Sequence, residues 1–484
     1  MNEFYNPITL KTQNITVLIT GATGYIGGRL ISRLLSNNIK IRVLVRDVNK
    51  IKNKSWFNKV EIFEGDLTKI ETLNGLCDKV DQAYYLVHSM GTSQEYIELD
   101  RLAARNFVKS SGDLSHVIYL GGISPNESSI SEHLSSRIEV GKILRGSLPT
   151  TELRAGPIIG SGSASFEMLR HLSEKLPIMV APKWINNTVR PISVRDVLKY
   201  LVLSLDKKPC ETLDIGTDPM TFKDLMLEYC RYRGLKRKIF PIPVLAPSIA
   251  AWWISLVTPI TNSLASPIVS SVINNIKGDV TKANDFYPEI KTLNYYDSIK
   301  SALDKTKKEF IETSWNKEKI QFNYKLSQLR GRFEEIRIAK TTASCSSIFS
   351  IFKTLGGRNG WKAWDILWRI RKYIDILLGG PLIQEPDRDN LRIGSDFDCF
   401  RIEKFEENKK LLLKMKLKSP GEAWLKFEAI EDVSNSYIVM TAIFEPKGIW
   451  GYLYWYSILP LHLIIFKDLM IALKNESELI ENMQ

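Results

Sequence analysis

One stretch restricts the architecture of this chain more than any other. TGATGYIGGRL, residues 20–30, follows directly on a β-branched run, TVLIT at 16–20. Gly21 lets the chain turn sharply out of the strand. Gly24 removes the side chain where a pyrophosphate must approach the backbone, and Gly27 lets the next helix pack closely on a sheet. The first turn of that helix offers unpaired N–H groups and a positive dipole end to phosphates. With Thr23, Tyr25 and Ile26 completing the loop, the stretch is expected to hold a dinucleotide.

The surrounding pattern agrees. Short apolar runs recur at IRVLVR (41–46), VEIFEGD (60–66), AYYLVHS (83–89) and HVIYLGG (116–122), with helically spaced residues such as Leu30 and Leu34 between them. This alternation predicts an α/β, Rossmann-type, doubly wound parallel sheet over residues 14–238. The second run ends at Arg46. An NAD site usually carries Asp or Glu there for the ribose 2′-hydroxyl, whereas a planar guanidinium pairs with a 2′-phosphate. The reading is therefore NADP, with NAD as the alternative because Asp47 stands next to Arg46.

At 484 residues the chain is long enough for two or three domains. Residues 239–276 contain no charged residue and no His, yet Pro241, Pro243, Pro247, Pro259 and Pro267 interrupt the run. Proline breaks helices, so segment 239–299 reads as bridging pieces packed on the first domain rather than a membrane span. Residues 300–340 read as a basic, helical connector. Residues 341–484 have a different period. LLLKMKLK (411–418), EAWLKFEAIE (422–431) and SYIVMTAIF (436–444) alternate as antiparallel strands do. Trp361, Trp364 and Trp368 mark a helix before them, on which Trp364 and Trp368 would share a face. The apolar stretch 448–473, with Pro460 inside it, reads as a helix laid across the sheet, or alternatively as a membrane contact together with 239–276.

The remaining composition excludes more than it proposes. Five widely spaced cysteines with no CxxC pair argue against a zinc ribbon or a disulfide framework, and no metal site is expected. The opening residues lack a basic region followed by an apolar run, so a cytoplasmic chain is expected, with membrane association as an option. The 66 Lys and Arg exceed the 54 Asp and Glu by 12, but they form no arginine-rich tract, and nucleic acid is not an expected partner.

TGATGYIG resembles the fingerprint of the atypical and extended short-chain dehydrogenase/reductases. GDL (65–67), LRAGPIIG (153–160) and RPISVRDV (190–197) are similar to further segments of that superfamily. With YYLVHSMG, YLGGISP, HLSSRIEVGKIL, SPGEAWLKF and FEPKGIWGYLYWY, the chain resembles a two-domain bacterial family. Its first domain is related to nucleoside-diphosphate-sugar epimerases and to the 39 kDa subunit of respiratory NADH:ubiquinone oxidoreductase. Its second domain resembles the START/polyketide-cyclase helix-grip fold, an α+β arrangement.

The resemblance implies site residues. Asp66 would contact adenine beside Leu67, Arg195 would face substrate, and Ser124 and Lys142 would occupy the catalytic Ser and Lys positions. The superfamily's Tyr, four residues before the Lys, is here Ile138, and a hydrocarbon cannot shuttle a proton. His88 and His133 are the substitute acids, Arg137 a candidate anion ligand, and Tyr119 a core residue. The function expected is an NADP-dependent oxidoreductase acting on a hydrophobic carbonyl, quinone or lipid-like molecule bound in an apolar cavity. The alternative is a non-catalytic NAD(P)-binding redox sensor or assembly factor for a membrane complex.

Overall fold

The computed structural model describes residues 9–52, 54–87, 94–125, 132–242, 250, 254, 265–266, 268–270, 273, 275–312, 324–329, 331–377, 391–432 and 435–483. The chain forms two compact units. The first holds residues up to 173 and 178–304, the second 174–177 and 305 onward.

The first unit is built on seven parallel strands: β1 (Thr16–Thr20), β2 (Lys40–Val45), β3 (Glu61–Glu64), β4 (Gln82–Tyr85), β5 (His116–Gly122), β6 (Thr150–Ala155) and β7 (Thr212–Ile215). Their spatial order is β7-β6-β5-β4-β1-β2-β3. Helices α1 (Gly27–Leu35), α2 (Gln94–Lys109), α3 (Glu132–Ser147) and α4 (Val194–Ser204) complete the unit's frame. Val17 and Ile19 pack with Leu30, Ile31 and Leu34 of α1 and Leu198 and Leu201 of α4, while Leu18 faces the opposite way, to Ala104 and Phe107 of α2 and Leu144 of α3. Both faces are covered, which is why the strands read as unbroken apolar runs. This is the Rossmann-type fold the sequence predicts. The sheet reverses its strand order between β1 and β4, the place where open α/β sheets bind ligands.

The second unit is an antiparallel sheet with a long helix laid on it, the α+β arrangement expected. Its strands are β8 (Tyr324–Leu329), β9 (Arg332–Thr341), β10 (Asp396–Phe397), β11 (Phe400–Glu406), β12 (Lys410–Met415), β13 (Gly421–Asp432) and β14 (Asn435–Pro446), in the order β8-β9-β14-β13-β12-β11-β10. Helices α5 (Cys345–Thr354), α6 (Asp365–Leu377) and α7 (Gly448–Met483) accompany them. Phe349 and Phe352 of α5 and Phe466, Leu469, Met470 and Leu473 of α7 pack on Leu411, Leu413, Leu425, Phe427, Ile438 and Met440 of the sheet.

Two expectations change. Within the connector a helix runs from Tyr295 to Glu312, and Tyr324–Leu329 and Arg332–Thr341 are the first two strands of the second unit. Their alternating charges, as in Glu334–Arg337, concealed the strand pattern. Trp364 lies outside α6 with a left-handed φ of 54°, so it does not share a helical face with Trp368. Trp361 stacks on Trp368 instead, at 4.7 Å between ring centroids. Most of the uncharged segment 239–276 lies outside the described residues. Helix α7 is long and apolar enough to cross a membrane, with a mean hydropathy of 1.6 in its most apolar window, yet one of its faces belongs to the core of this unit. All five cysteines are unbridged.

Candidate functional site

The glycine loop is shaped by backbone that no side chain could share. Gly21 has a φ of 74°, and a methyl group there would stand 2.6 Å from the carbonyl oxygen of Leu86, just beyond β4. The loop after β1 and the loop after β4 therefore meet at the point of strand reversal. Gly24 donates its N–H to the Gly21 carbonyl at 2.9 Å, which closes the turn. A methyl at Gly27 would overlap that same carbonyl.

Helix α1 begins after Ile26 with no side-chain cap and no acidic residue in its first turn. The N–H groups of Gly28, Arg29 and Leu30 turn back to the carbonyls of Gly24 and Ile26, and the positive end of the helix dipole is what faces an external anion. Tyr25 braces the loop. Its ring carries the Arg29 guanidinium at 4.0 Å, and Arg29 donates to the carbonyls of Tyr25 and Ser161, each at 3.1 Å. Thr23 and Gly24 are exposed on the outer side. Small residues, the positive helix end and exposed backbone together fit a dinucleotide pyrophosphate.

The ends of β2 and β3 form one side of this crevice. Arg46 is exposed, one residue past β2. Asp47 is turned to local use, its carboxylate accepting from the Asn49 N–H at 2.9 Å to cap a short 3₁₀ turn. Asp66 accepts from the N–H of Thr68 at 3.0 Å and from its hydroxyl at 2.9 Å, and Leu67 is buried behind it.

The ends of β4, β5 and β6 form the other side. Ser124 is half-buried after β5, its hydroxyl donating to the Pro125 carbonyl at 3.3 Å. On α3, Ile138 is half-buried and Lys142 is exposed. Arg137 lies against Gly122, where a methyl would stand 3.8 Å from its Nη1. Its Nε is buried and has no hydrogen-bond partner among the described residues. Tyr119 donates its hydroxyl to the Arg137 carbonyl at 3.0 Å, and burial pushes its phenol pKa up. Tyr119 is thus a neutral core residue, as expected. His88 lies outside the described residues, and His133 falls on α3 with its side chain outside them.

Charges that motif reading missed underlie this end of the sheet. Glu152 of β6 is buried between Arg145 and Arg154, 3.0 Å from the Nε of each. Gly121 and Gly141 make room for its carboxylate. Asp214 of β7 accepts from the Asp279 N–H at 3.0 Å, and burial raises its carboxyl pKa. The alternation of Glu152 and Arg154 in a buried strand was the available signal.

The segment RPISVRDV resolves into a helix start. Ser193 accepts from the Asp196 N–H, and the wholly buried Asp196 carboxylate takes the Ser193 hydroxyl, the Lys199 ammonium and the Leu293 N–H at 2.8–3.0 Å. Asp196 is accordingly structural. Arg195, beside it, is half-buried on the first turn of α4.

Between sheet and helix the second unit combines aromatics with a charged pair. Trp455 stacks on Phe333 and Phe444, and the buried Glu335 pairs with Arg337 at 2.8 Å, its other oxygen 3.4 Å from His462.

Residues 13–151 match the NmrA-like family, and residues 330–469 match a family described as a protein of unknown function, DUF2867. No curated protein matches the chain. Among solved structures, the triphenylmethane reductase of Citrobacter sp. complexed with NADP(H) is similar at 20% identity, with 60% of this chain and 100% of that one covered and a TM-score of 0.48. The Bordetella bronchiseptica enzyme WbmG in complex with NAD is similar at 13% identity over 62% of this chain and 96% of that one, with a TM-score of 0.48. The Thermotoga maritima UDP-glucose 4-epimerase with UDP-glucose shows 14% identity over 61% and 100%, with a TM-score of 0.47. The chain is therefore similar to the NmrA-like family over residues 13–151 and to DUF2867 over most of its second unit.

Proposed function

We propose that this protein is an NADP(H)-dependent oxidoreductase acting on a hydrophobic small molecule. The observation that carries the cofactor choice is the pair at the end of β2. Arg46 is exposed while Asp47 is spent on the Asn49 N–H. A free guanidinium receives a 2′-phosphate, and the neighbouring carboxylate is turned to another task. The match to the NmrA-like family and the nicotinamide cofactors of two similar structures support the class.

In this reading the α1 N-terminus and the loop from Gly21 to Gly27 hold the pyrophosphate, and Asp66 and Leu67 border the adenine. A bound nicotinamide supplies or accepts the hydride. Arg137, beside Gly122, orients an oxygen or anionic group of the substrate, with Arg195 as a second candidate. Ile138 moves no proton, so acid–base work falls to His88 or His133 rather than to a Tyr. The apolar substrate is assigned to a START-like role of the second unit, whose interior is aromatic. The alternative, a non-catalytic NADP(H) sensor, is favoured by Ile138 alone.

The test is a fluorescence titration of both reduced cofactors. Wild type binds NADPH more tightly than NADH. Arg46→Ala weakens NADPH by roughly 10–150-fold, the worth of a charge-assisted hydrogen bond of about 1.5–3 kcal/mol, and leaves NADH unchanged. Equal wild-type affinities, or an Arg46→Ala variant that keeps its NADPH affinity, refute the reading.

A further inference from the structure

Helix α6 is amphipathic with its faces reversed. Ile366, Ile370, Tyr373 and Leu377 recur at i, i+4, i+7 and i+11, which places them on one stripe. All four are exposed, Ile366 at 67%, Tyr373 at 69% and Leu377 at 86%. Ile374 and Ile376 are exposed on the flanks.

The opposite face carries the charges and is fastened to the domain. Lys372 pairs with the buried Asp398 at 2.5 Å, and Asp398 also takes the Trp361 indole N–H at 2.9 Å. Asp375, fully buried, accepts from the Lys418 N–H at 2.5 Å, and Arg371 donates to the Lys418 carbonyl at 2.6 Å. With these bonds in place the helix cannot roll its apolar stripe into the core.

The surroundings extend the pattern. Trp364, just before α6, donates its indole N–H to Asp468 of α7 at 2.7 Å, and Lys362 pairs with Glu476 at 3.1 Å. Helix α7 exposes its own apolar residues, among them Trp450, Leu453 and Ile464. The acids on these two helices are engaged. Asp365 takes the Trp361 N–H, Asp375 the Lys418 N–H, Asp468 the Trp364 indole, Glu476 the Lys362 ammonium, Glu478 the Thr341 hydroxyl and Glu481 the Ser344 hydroxyl. Two cations, Arg369 on the flank of the stripe and Lys467 on α7, are exposed and have no ion pair among the described residues.

We propose that α6 is a membrane-docking helix that lies in the plane of an anionic bilayer, with its isoleucine and leucine stripe among the acyl chains and Arg369 at the headgroups. Apolar residues in a stripe, aromatics with a polar edge beside it, and exposed cations with no ion pair among the described residues are the chemistry an anionic phospholipid surface selects. Because α7 contributes its other face to the domain core, it lies beside α6 and does not span. The inference stands apart from the cofactor assignment and needs no substrate.

The test uses the full-length protein in vesicle flotation, with phosphatidylcholine alone and with added phosphatidylglycerol. Wild type should float with the anionic vesicles, less so in high salt, and stay behind with the neutral ones. Ile370→Ser combined with Leu377→Ser should lower partitioning at least tenfold with an unchanged thermal midpoint, since both side chains are exposed. Arg369→Glu should lose the preference for phosphatidylglycerol. The proposal fails if wild type does not float, or if the double variant floats as well as wild type. It also fails if flotation depends on Trp450 and not on α6. A wild-type dimer that the double variant converts to a monomer would make the stripe an interface between two copies and equally overturn it.

Discussion

Gly27 and Gly28 are neighbours in the first turn of α1, yet an added methyl group should act on them in opposite directions. At Gly28 the nearest atom to a methyl would be the Ala22 carbonyl oxygen, at 3.4 Å, an ordinary contact. Replacing glycine by alanine in a helix stabilises it by up to about 1 kcal/mol, less at its end. Gly28→Ala should therefore gain a few tenths to about 1 kcal/mol and bind dinucleotide within about twofold of wild type.

At Gly27 the same propensity gain applies, but the methyl would overlap the Gly21 carbonyl oxygen, which itself receives the Gly24 N–H. Overpacking against backbone costs about 1–3 kcal/mol, because neither partner is a flexible side chain. The net loss of stability is roughly 1–2 kcal/mol once the helix gain is set against it. The relief available is a shift of α1 away from the end of β1, which carries the positive helix end off the pyrophosphate position. Dinucleotide affinity should fall at least about tenfold, or about 1.4 kcal/mol. Urea denaturation and cofactor titration of the two variants side by side provide the assay. A Gly27→Ala protein that is as stable as Gly28→Ala and binds cofactor as wild type does would show that the loop is not a phosphate cradle.

Two further perturbations separate structural charges from functional ones. Burial pushes the His116 imidazole, 2.8 Å from the Thr151 hydroxyl, down to about 4. The folded state thus requires the neutral ring, and the stability it protects is complete above the ordinary value near 6.5 and lost as pH falls from there toward 4. Between pH 7.5 and 5 urea midpoints should record a loss of about 2 kcal/mol that is absent in His116→Gln, and parallel slopes for both proteins would refute the assignment. Asp196→Ala should cost about 2–4 kcal/mol, because it strands a buried hydroxyl, a half-buried ammonium and an N–H, whereas Asp224→Ala, at the exposed and otherwise similar helix start after Thr221, should cost less than about 1 kcal/mol. Equal losses in thermal melts would show that burial does not set the difference.

The sequence disclosed whatever is local and periodic. The fifth strand, HVIYLGG, lies over the residues its apolar run marks, His116–Gly122, and the glycine loop falls where a strand gives way to a helix. Leu411 and Leu413 face the core as their alternation requires. The same alternation misread the other face. Lys410 and Lys426 are buried and pair with Glu428, Lys410 from the neighbouring strand at 3.7 Å and Lys426 along the same strand at 2.8 Å, and hydropathy counts each as solvent-seeking because it cannot see the partner. Glu152 escaped notice for the same reason, since Arg145 approaches it from another element. Trp364 went wrong through one backbone angle, the left-handed φ that ends a turn before α6 begins. The cofactor side of the candidate site was legible because backbone geometry demands glycine there. The acid that would replace Ile138 was not, because a proton donor is defined by position in space and leaves no spacing to read.

The strand order of the second unit has a kinetic consequence. β11, β12, β13 and β14 follow one another as hairpins, so each ladder closes between segments adjacent in the chain. β9 joins the same sheet by pairing Arg337 with Met440, across more than a hundred intervening residues. Loop closure of that length is slow and costly in entropy, whereas hairpins form early. The meander is thus the part of this sheet able to assemble first, and β9, carrying β8 on its outer edge, closes last and opens first. Glu335 and Arg337 ride on that late strand, so the charged pair between sheet and helix is assembled only in the final step of folding.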